Sequence, residues 1–309
     1  MALRIDALDG LRDRLVGLDD VTAPVVVGCS GGADSLTLLA VAVDRGLDPI
    51  AVHVDHGLRE GSAAEADVVA DAARLLCATF VATGVEQELY LGPNLEARAR
   101  DARYAALEAV ADAHGATAVL VGHTADDQAE TVLLALLRGS AGPGLAGMPV
   151  RRGRIVRPLL RIRRAETEAC CAALGLDPVH DPTNDDVTFR RAWIRHEVLP
   201  MLAAGAGRDL VPVLVRQAEV LRDESEYLDG LARAAWPPSA HDAPAAALAR
   251  LPRALARRAV RAWLGPPPPS FDEVERVLAV AAGEARATEL AGGRRVHRSG
   301  GQMHVRRDR

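Results

Sequence analysis

Lysine is absent from the chain: its 309 residues carry 37 basic side chains, and all of these are arginine. A Walker-type phosphate-binding loop needs a lysine, so that class of nucleotide-binding protein is excluded. A genome biased towards GC-rich codons would explain both the missing lysine and the abundant alanine. We prefer this explanation to a functional one.

Cysteine is scarce as well, with four residues in the chain. Two of them, Cys170 and Cys171, are adjacent, and the spacing of the set matches neither a metal site nor a disulfide framework. Long hydrophobic runs are also missing, because no uncharged stretch approaches the ~18 residues that span a bilayer. Residues 1–17 alternate charged and apolar side chains, which predicts an amphipathic helix and not a signal peptide. We therefore expect a cytoplasmic protein that does not contact a membrane.

The net charge of −5 argues against indiscriminate binding of nucleic acid, yet the charge is unevenly distributed. Acidic residues concentrate in the first 130 positions, whereas the C-terminal residues 294–309 are basic. A second basic segment holds Arg151, Arg152, Arg154, Arg157, Arg161, Arg163 and Arg164. Basic stripes on an acidic protein are typical of a surface that binds a structured polyanion. A solvated helix face explains the same pattern, and both interpretations stay open.

Strand and helix patterns alternate through the first part of the chain. Strands are predicted at 24–29, 50–55, 79–83 and 117–122, and helices at 35–45, 62–77 and 94–114. Short connections between them indicate parallel βαβ units, which predicts an α/β fold with a doubly wound, mostly parallel sheet. Ligands of such sheets bind beyond the carboxyl ends of the strands.

The pattern changes in the second part of the chain. The predicted elements are a short hairpin leading into a helix within 151–164, helices at 188–203 and 209–235, and a glycine-rich β-hairpin at the C-terminus. We therefore divide the chain into a catalytic domain, 1–205, and a smaller domain, 206–309. The smaller domain is predicted to be mainly helical and to end in the hairpin.

A glycine pair follows the first predicted strand, in the stretch SGGADS at 30–35. Gly31 and Gly32 let a ligand approach the main chain closely. The amides that begin the next helix favour an anion, and the two serine hydroxyls add hydrogen-bond donors. The carboxylate of Asp34 is a candidate metal ligand. An ordinary strand-to-helix turn is the alternative to this phosphate-binding site.

Polar residues also follow the second and fourth predicted strands. His53 and His56 lie in the stretch HVDHGLR, where either one alone would be explained as a core histidine. The stretch GHTADDQAE begins a helix that carries Asp126, Asp127 and Glu130 beside the same crevice. Carboxylates beside a phosphate site repel the ligand unless a magnesium ion or a cationic substrate lies between them. The helix dipole alone also explains acidic residues in a first turn.

Arginines concentrate on the third predicted helix, at Arg98, Arg100 and Arg103. An arginine guanidinium binds phosphate oxygens through a bidentate fork. Ion pairs within the helix are the alternative explanation.

Six motifs occur along the chain in the order SGGADS, HVDHGLR, EARARDARYAAL, GHTADDQAETVLLALLRG, RPLL and DPTNDD. Together they resemble the tRNA(Ile)-lysidine synthetases of the PP-loop ATPase superfamily, over residues 22 to about 200. The C-terminal third resembles the substrate-binding region of the family only loosely, and the resemblance implies that residues 206–309 form a domain that binds the tRNA substrate. One departure follows the last motif, where many members read Arg-Asn-Arg-Ile-Arg and this chain reads RAWIR at 191–195.

The resemblance implies a ligase that uses ATP and magnesium. Members of the family adenylate the C2 oxygen of the wobble cytidine in the CAU-anticodon tRNA(Ile), and the side-chain amine of free L-lysine then displaces AMP. The products are lysidine, AMP and pyrophosphate, and the modified tRNA reads AUA as isoleucine. The implied partners are tRNA(Ile) and lysine. The oligomeric state stays open, with a homodimer as one alternative.

The resemblance also implies roles for the matching residues. ATP would be bound by Ser30, Gly31, Gly32, Asp34, Ser35, His53, His56 and Gly122, with magnesium held by Asp34. The catalytic residues would be Asp34, Arg103, His123, Asp127 and Glu130. Arg103 and His123 would stabilise charge on the α-phosphate, and the acidic pair would bind the lysine amine and help to deprotonate it. Which of Asp126, Asp127 and Glu130 contacts lysine and which contacts metal stays open.

Three other classes of protein share parts of this pattern. A tRNA thiolation enzyme uses the same loop and adenylation step but generally needs a cysteine pair or an iron–sulfur cluster, and the chain has no Cys-x-x-Cys. A glutamine-dependent amidotransferase would need an ammonia-supplying domain, for which the chain leaves no room. A nucleotide-binding sensor would need neither the acidic residues after the fourth strand nor a basic C-terminal region.

Overall fold

A computed structural model describes residues 5–55, 62–85, 95–179, 185–236 and 243–307. The chain divides into two compact units, Met1–Glu219 and Val220–Arg309. This boundary between compact units lies within one long helix, Val211–Ala235. The division predicted at 205/206 is a functional one, which separates a catalytic domain from a domain that binds tRNA. It stays a prediction.

Six strands form the sheet of the first unit: β1 (Val25–Gly28), β2 (Pro49–Asp55), β3 (Thr79–Gly84), β4 (Ala118–Val121), β5 (Arg151–Arg152) and β6 (Ile155–Val156). Their order is β3-β2-β1-β4-β6-β5, and every neighbouring pair is parallel except β5 with β6. The three valines of β1 are fully buried, as expected for a strand covered on both faces. Because β2 and β4 flank β1 on opposite sides, the chain changes direction across the sheet there and opens a crevice at the carboxyl ends.

The helices of the first unit are α1 (Ala33–Asp44), α2 (Ser62–Leu75), α3 (Leu95–Ala113), α4 (Ala125–Leu137), α5 (Gly142–Leu145), α6 (Arg164–Ala173), α7 (Arg190–Trp193) and α8 (Leu199–Ala206). A π-helical turn, Ile194–Val198, joins α7 to α8, and α9 (Val211–Ala235) follows. Leucines of α1 and cysteines of α6 pack on one face of the sheet, and α3 packs on the other. The doubly wound, mostly parallel α/β fold is therefore confirmed.

Over the described residues 5–17, the N-terminal segment does not form the helix predicted for 1–17. Two short 3₁₀ turns, Asp6–Leu8 and Arg12–Arg14, are present instead. The guanidinium of Arg12 donates to Asp44 at the end of α1 and to the carbonyl of Ile5, at 2.7 and 2.9 Å. These tertiary contacts bend the backbone towards α1, and they replace the regular ladder that an amphipathic helix would need.

The second unit is mainly helical and ends in strands, as predicted. It contains the end of α9, α10 (Ala245–Arg250), α11 (Arg253–Leu264), α12 (Phe271–Ala282), β7 (Ala287–Leu290), β8 (Arg294–Ser299) and β9 (Gln302–Arg307). The predicted hairpin corresponds to β8 and β9, and β7 adds a third antiparallel strand. Trp236, Leu248 and Met303 are fully buried in the core of this unit.

None of the described helices is by itself long and apolar enough to cross a membrane. The segments Arg190–Ala206 and Val211–Ala235 reach that length and apolar composition only when joined, and they are bent by 95° relative to each other.

Candidate active site

A cleft of about 800 Å³ opens at the carboxyl ends of β1, β2 and β4. Its walls include the predicted residues Ser30, Gly32, Asp34, Ser35, His53, Arg103, Gly122, His123 and Asp127. Gly31 belongs to the same loop, Glu130 lies behind the wall, and His56 falls outside the described residues. Residues from four separate motifs therefore meet at the crevice that the topology predicts.

The SGGADS turn leads directly from β1 into α1. Gly31 has a φ of +82°, in the left-handed region that favours glycine, and its carbonyl accepts a bond from the amide of Val179 at 3.0 Å. The Ser35 hydroxyl accepts from the amide of Ser30 at 3.2 Å and donates to the carbonyl of Gly32 at 2.9 Å. Ser35 therefore braces the turn, while the first amides of α1 begin at the cleft wall, where the helix dipole favours an anion.

Gly122 marks a close approach between the end of β4 and the start of α1. A Cβ atom at this position would lie 3.1 Å from the backbone of Asp34 and Ser35. A side chain at this position would therefore press on the backbone at the start of α1. The prediction that Gly122 binds ATP stays a prediction.

Two histidines face the cleft, one buried (His53) and one half-buried (His123). His53 is 3% exposed, and its Nδ1 lies 3.2 Å from the carbonyl of Cys29, so that a proton on Nδ1 leaves Nε2 as an acceptor. Burial, with Arg157 and Arg103 nearby, lowers the pKa of His123 to about 3. His123 is therefore neutral at pH 7 and can offer a hydrogen bond to a phosphate, but not a positive charge.

Two residues of the cleft wall carry unsatisfied polar atoms. Among the described residues, the buried side-chain atoms without a hydrogen-bond partner are Nε2 of His53, the hydroxyl of Tyr104, Nδ1 of His123, Oε2 of Glu130 and Nε of Arg157. Of these residues, His53 and His123 line the cleft. Buried polar atoms are nearly always bonded in folded proteins, so the two histidine nitrogens suit a polar ligand.

Asp34 and Asp127 form the acidic side of the cleft, with Arg164 between them. Arg164 lies 3.4 Å from a carboxylate oxygen of Asp34 and donates to Asp127 at 2.9 Å. Burial raises the pKa of Asp34 to about 6, although the positive charge of Arg164 opposes this shift. Burial also acts to raise the pKa of Asp127, but Arg164 and the donors of Thr124 lower it overall. Asp127 is thus an ionised carboxylate on the cleft wall.

The other two carboxylates of α4 point into protein. Glu130 is 0% exposed and accepts a bond from Arg195 Nε at 2.7 Å, with Arg191 at 3.6 Å. Asp126 accepts bonds from the Arg163 side chain and, at 2.8 Å, from the Arg164 amide. Of the three acids, Asp127 is therefore the one on the cleft wall. The predicted contact of Glu130 with lysine stays a prediction.

Sequence reasoning did not identify the arginines that partner these acids. Arg164 and Arg195 both line the cleft. Arg191 and Arg195 belong to the RAWIR stretch, in which Ala192 and Ile194 are buried. The two arginines that this stretch shares with the family both contact Glu130, and Arg164 lies 3.8 Å from the same carboxylate.

The basic segment at 151–164 is not one cationic stripe, which corrects the interpretation as a continuous polyanion-binding surface. Arg157 is 2% exposed and Arg164 points into the cleft. Ion pairs join Arg151 to Asp20, Arg154 to Asp112, Arg161 to Glu219, and Arg163 to Asp126 and Asp209. The segment turns through a hairpin into a helix, so its side chains point to different carboxylates.

One side of the cleft lacks such partners. Arg103 lines the wall, and burial lowers the pKa of its guanidinium. None of the described carboxylates pairs with Arg103. A cation without an acidic partner suits an anionic ligand, and the first amides of α1 border the same cleft.

Comparison with known proteins places this geometry in a family. A model described as a PP-loop domain matches residues 13–202, and one described as a TilS substrate binding domain matches residues 244–307. The tRNA(Ile)-lysidine synthase of Salinispora tropica is 43% identical over 321 residues, which cover 95% of this chain and 93% of that protein. The chain belongs to the tRNA(Ile)-lysidine synthase family. The synthase of Thermobifida fusca is 47% identical over 77% of this chain and 75% of its own.

A more distant similarity concerns the fold alone. The U34-tRNA thiolase NcsA of Methanococcus maripaludis, solved with its [4Fe-4S] cluster, superimposes with a TM-score of 0.55 at 19% identity. The match covers 70% of this chain and 78% of the thiolase. In this member of the synthase family, Cys29 is the cysteine on the cleft wall, and burial raises the pKa of its thiol to about 12.

Proposed function

We propose that the protein is a cytoplasmic tRNA(Ile)-lysidine synthase. It would adenylate the C2 oxygen of the wobble cytidine in the CAU-anticodon tRNA(Ile) and join the side-chain amine of L-lysine to C2. Lysidine, AMP and pyrophosphate would be the products. The observation that carries the proposal is one cleft that combines an anion-binding turn, an unpaired arginine and an ionised carboxylate.

The ATP half of the site rests on the SGGADS turn. The amides at the start of α1 would bind the pyrophosphate part of ATP, and Gly31 allows the close approach. Nε2 of His53 and Nδ1 of His123 are buried polar atoms without partners, which fits a polar ligand such as a nucleotide. Arg103 would stabilise the negative charge that develops on the α-phosphate.

Magnesium would bind at this site together with the nucleotide. Among the described residues, no group of three His, Cys, Asp or Glu side chains could by itself hold a metal ion. Magnesium usually needs only one or two carboxylates when substrate phosphates supply its other ligands. Asp34, in the first turn of α1 and on the cleft wall, would be that carboxylate. Bound there, the ion would neutralise phosphate charge.

The lysine half rests on α4. Asp127 stays ionised and faces the cleft, so it can attract the ammonium group of lysine. The same carboxylate is held in place by the capping box with Thr124 and by Arg164. After losing a proton, the lysine amine would attack C2 and release AMP.

The test is mass spectrometry of an unmodified CAU tRNA(Ile) incubated with the protein, ATP, magnesium and lysine. We expect the tRNA mass to rise by one lysine less one water, and only when ATP and lysine are both present. The matched control is the same tRNA with uridine at the wobble position, which should stay unmodified. A folded protein that binds ATP but leaves the cytidine tRNA unchanged would instead be a nucleotide-binding sensor.

A further inference from the structure

Two aromatic side chains are exposed where the helical run Arg190–Ala206 begins. Phe189 is 57% exposed and Trp193 is 37% exposed. The amide of Trp193 donates to the carbonyl of Phe189 at 2.9 Å, so one helical turn separates the two residues. Neither ring has an aromatic or cationic partner within the part of the chain that the structure describes. Exposed aromatic rings are enriched on surfaces that bind a partner.

Other large aromatic side chains of this chain are covered by neighbours. Trp236 and Trp263 pack edge to face, with their ring centres 5.6 Å apart. The guanidinium carbon of Arg257 lies 4.9 Å from the centre of the exposed ring of Phe271. Aromatic residues make up only 3% of the sequence, so a tryptophan left uncovered on a helix needs an explanation.

The opposite side of the same helical run is fixed to the first unit. Ile194 is fully buried and packs with Leu133 and Leu134 of α4. Arg195 Nε donates to the buried Glu130 at 2.7 Å. The backbone that carries Trp193 is therefore held in place by packing and by an ion pair, and the exposure of its ring is a stable feature of the surface.

The helical run also leads into the cleft. Arg195 and His196, two and three residues after Trp193, both line the cleft. Three residues of a helix rise about 5 Å, so the ring of Trp193 lies close to the cleft wall. Arg190 is exposed and forms no ion pair with the described carboxylates, which leaves its charge available to a phosphate. An aromatic ring, an unpaired arginine and the cleft are thus neighbours on one surface.

Unpaired bases of RNA are the ligands that suit such a surface. Proteins bind the bases of single-stranded loops by stacking them on aromatic rings or on arginine guanidinium planes. Trp193 stands where many members of the family have an arginine, so the substitution keeps a planar group at this position. A cytidine that enters the cleft leaves the base stack of its loop, which uncovers the neighbouring base.

We propose that Trp193 stacks on the adenine that follows the wobble cytidine in the CAU anticodon. This inference rests on the proposed function. The indole ring would replace the stacking that this adenine loses when the cytidine enters the cleft, so it would favour the bound form of the anticodon loop. Trp193 is therefore inferred to bind substrate without taking part in the chemical steps.

The experiment uses CAU tRNA(Ile) in which 2-aminopurine replaces this adenine, because the fluorescence of 2-aminopurine falls when the base is stacked. We expect Trp193→Leu, which keeps an apolar side chain but removes the plane, to give a saturated complex at least about twice as bright as that of the parent protein. The Kd of the tRNA should rise about 5- to 150-fold. Trp193→Phe and Trp193→Arg, which restore a planar group, should recover much of both losses.

Met201→Ala is the matched control, because Met201 is 65% exposed on the same helical run and has no planar group. It should leave the fluorescence and the Kd of the tRNA unchanged. The Kd of ATP, measured by calorimetry, should be the same in all these variants, since the ring of Trp193 does not line the cleft.

The proposal is overturned if folded Trp193→Leu matches the parent protein in fluorescence and tRNA affinity, or if Trp193→Phe recovers neither. It is also overturned if Trp193→Leu changes only the mass of the particle in analytical ultracentrifugation, which would show that this face binds a second copy of the chain. A parent protein that binds ATP but leaves CAU tRNA(Ile) unmodified would contradict the proposed function itself.

Discussion

The two sides of the cleft use arginine differently. On the cationic side, the guanidinium carbons of Arg100 and Arg103 lie 5.5 and 5.8 Å from the centre of the Tyr104 ring, and neither arginine pairs with any of the described carboxylates. On the paired side, Arg163, Arg164, Arg191 and Arg195 contact Asp34, Asp126, Asp127 and Glu130. The residue type is the same on both sides, and the difference between them is whether a carboxylate lies within ion-pair distance.

Paired and unpaired arginines suit the two sides of the cleft to different roles. Charges on the paired side largely cancel, which stabilises the packing of α4 against α6 and α7 and leaves Asp127 as the carboxylate of α4 on the cleft wall. Charges on the cationic side add together, which destabilises the free protein but creates a field for an anion. Arginine variants on the cationic side should therefore affect chemistry, whereas arginine variants on the paired side should mainly affect folding.

The largest expected effect comes from Arg103→Met. Loss of a charge aimed at the α-phosphate should slow adenylation about 100- to 1,000-fold, while the melting temperature stays near that of the parent because no ion pair is broken. Single-turnover adenylation measures the rate, and a thermal melt measures the melting temperature. Arg98→Met, on the same helix, is the control with little expected change. A loss of less than about tenfold in folded Arg103→Met would show that the cationic side does not stabilise the reacting phosphate.

Arg195→Met tests the paired side. It leaves Glu130, 0% exposed, without its 2.7 Å partner, and we expect the free energy of unfolding to fall by about 2–4 kcal/mol. The double variant Arg195→Met/Glu130→Gln removes the stranded charge and should recover a large part of that loss. Urea unfolding gives the values. If the double variant is less stable than the single one, charge pairing is not what stabilises this side.

The second unit holds a related contrast, between the buried Arg294 and the exposed Arg306. Arg294 is 2% exposed and donates to the carbonyl of Pro267 at 2.9 Å, so its side chain is not part of an exposed basic surface formed by residues 294–309. Arg306 is exposed and has no carboxylate partner among the described residues. Arg306→Gln should flatten the slope of log affinity for tRNA against log salt by about 0.7–0.9.

Arg294→Gln is the matched comparison, since it should lower the melting temperature and leave the salt slope unchanged. Filter binding of the tRNA at several salt concentrations gives both slopes. An unchanged slope for Arg306→Gln would remove this strand from the surface that contacts phosphates.

The smallest expected effect concerns Glu273, a carboxylate stabilised by backbone amides instead of arginine. Bonds from the amides of Ala291 and Ser270, at 2.6 and 2.7 Å, lower the pKa of Glu273 to about 2. Because the pKa is depressed in the folded state, the stabilisation is present above the unfolded value and is lost as pH falls towards 2. Glu273→Gln should cost about 1 kcal/mol at pH 7 and progressively less below about pH 4.5. Denaturant unfolding of the parent and of Glu273→Gln, from pH 7 to below pH 4.5, measures this difference in the free energy of unfolding. A difference that does not vary with pH would show that the charge of Glu273 does not contribute to stability.

The sequence by itself determined the parallel sheet and the place of the site. Strand and helix periods are local properties, and buried valine strands separated by helices have few ways to pack. Since parallel strands end at one edge, the motifs that follow them had to meet there, and His53, Arg103, His123 and Asp127 all line the cleft. Local pattern also predicted the hairpin before α6 and the helical character of the second unit.

Only the tertiary structure decided which charges pair. Arg164 and Asp34 are 130 residues apart in sequence, and Arg195 and Glu130 are 65 apart, so no local period relates them. The basic segment was therefore interpreted as one surface, although its members point to different carboxylates. The same reason explains the N-terminal turns, where contacts with Asp44 prevail over an amphipathic pattern. The sequence specifies which side chains are charged, whereas the fold determines which of them lie close enough to form ion pairs.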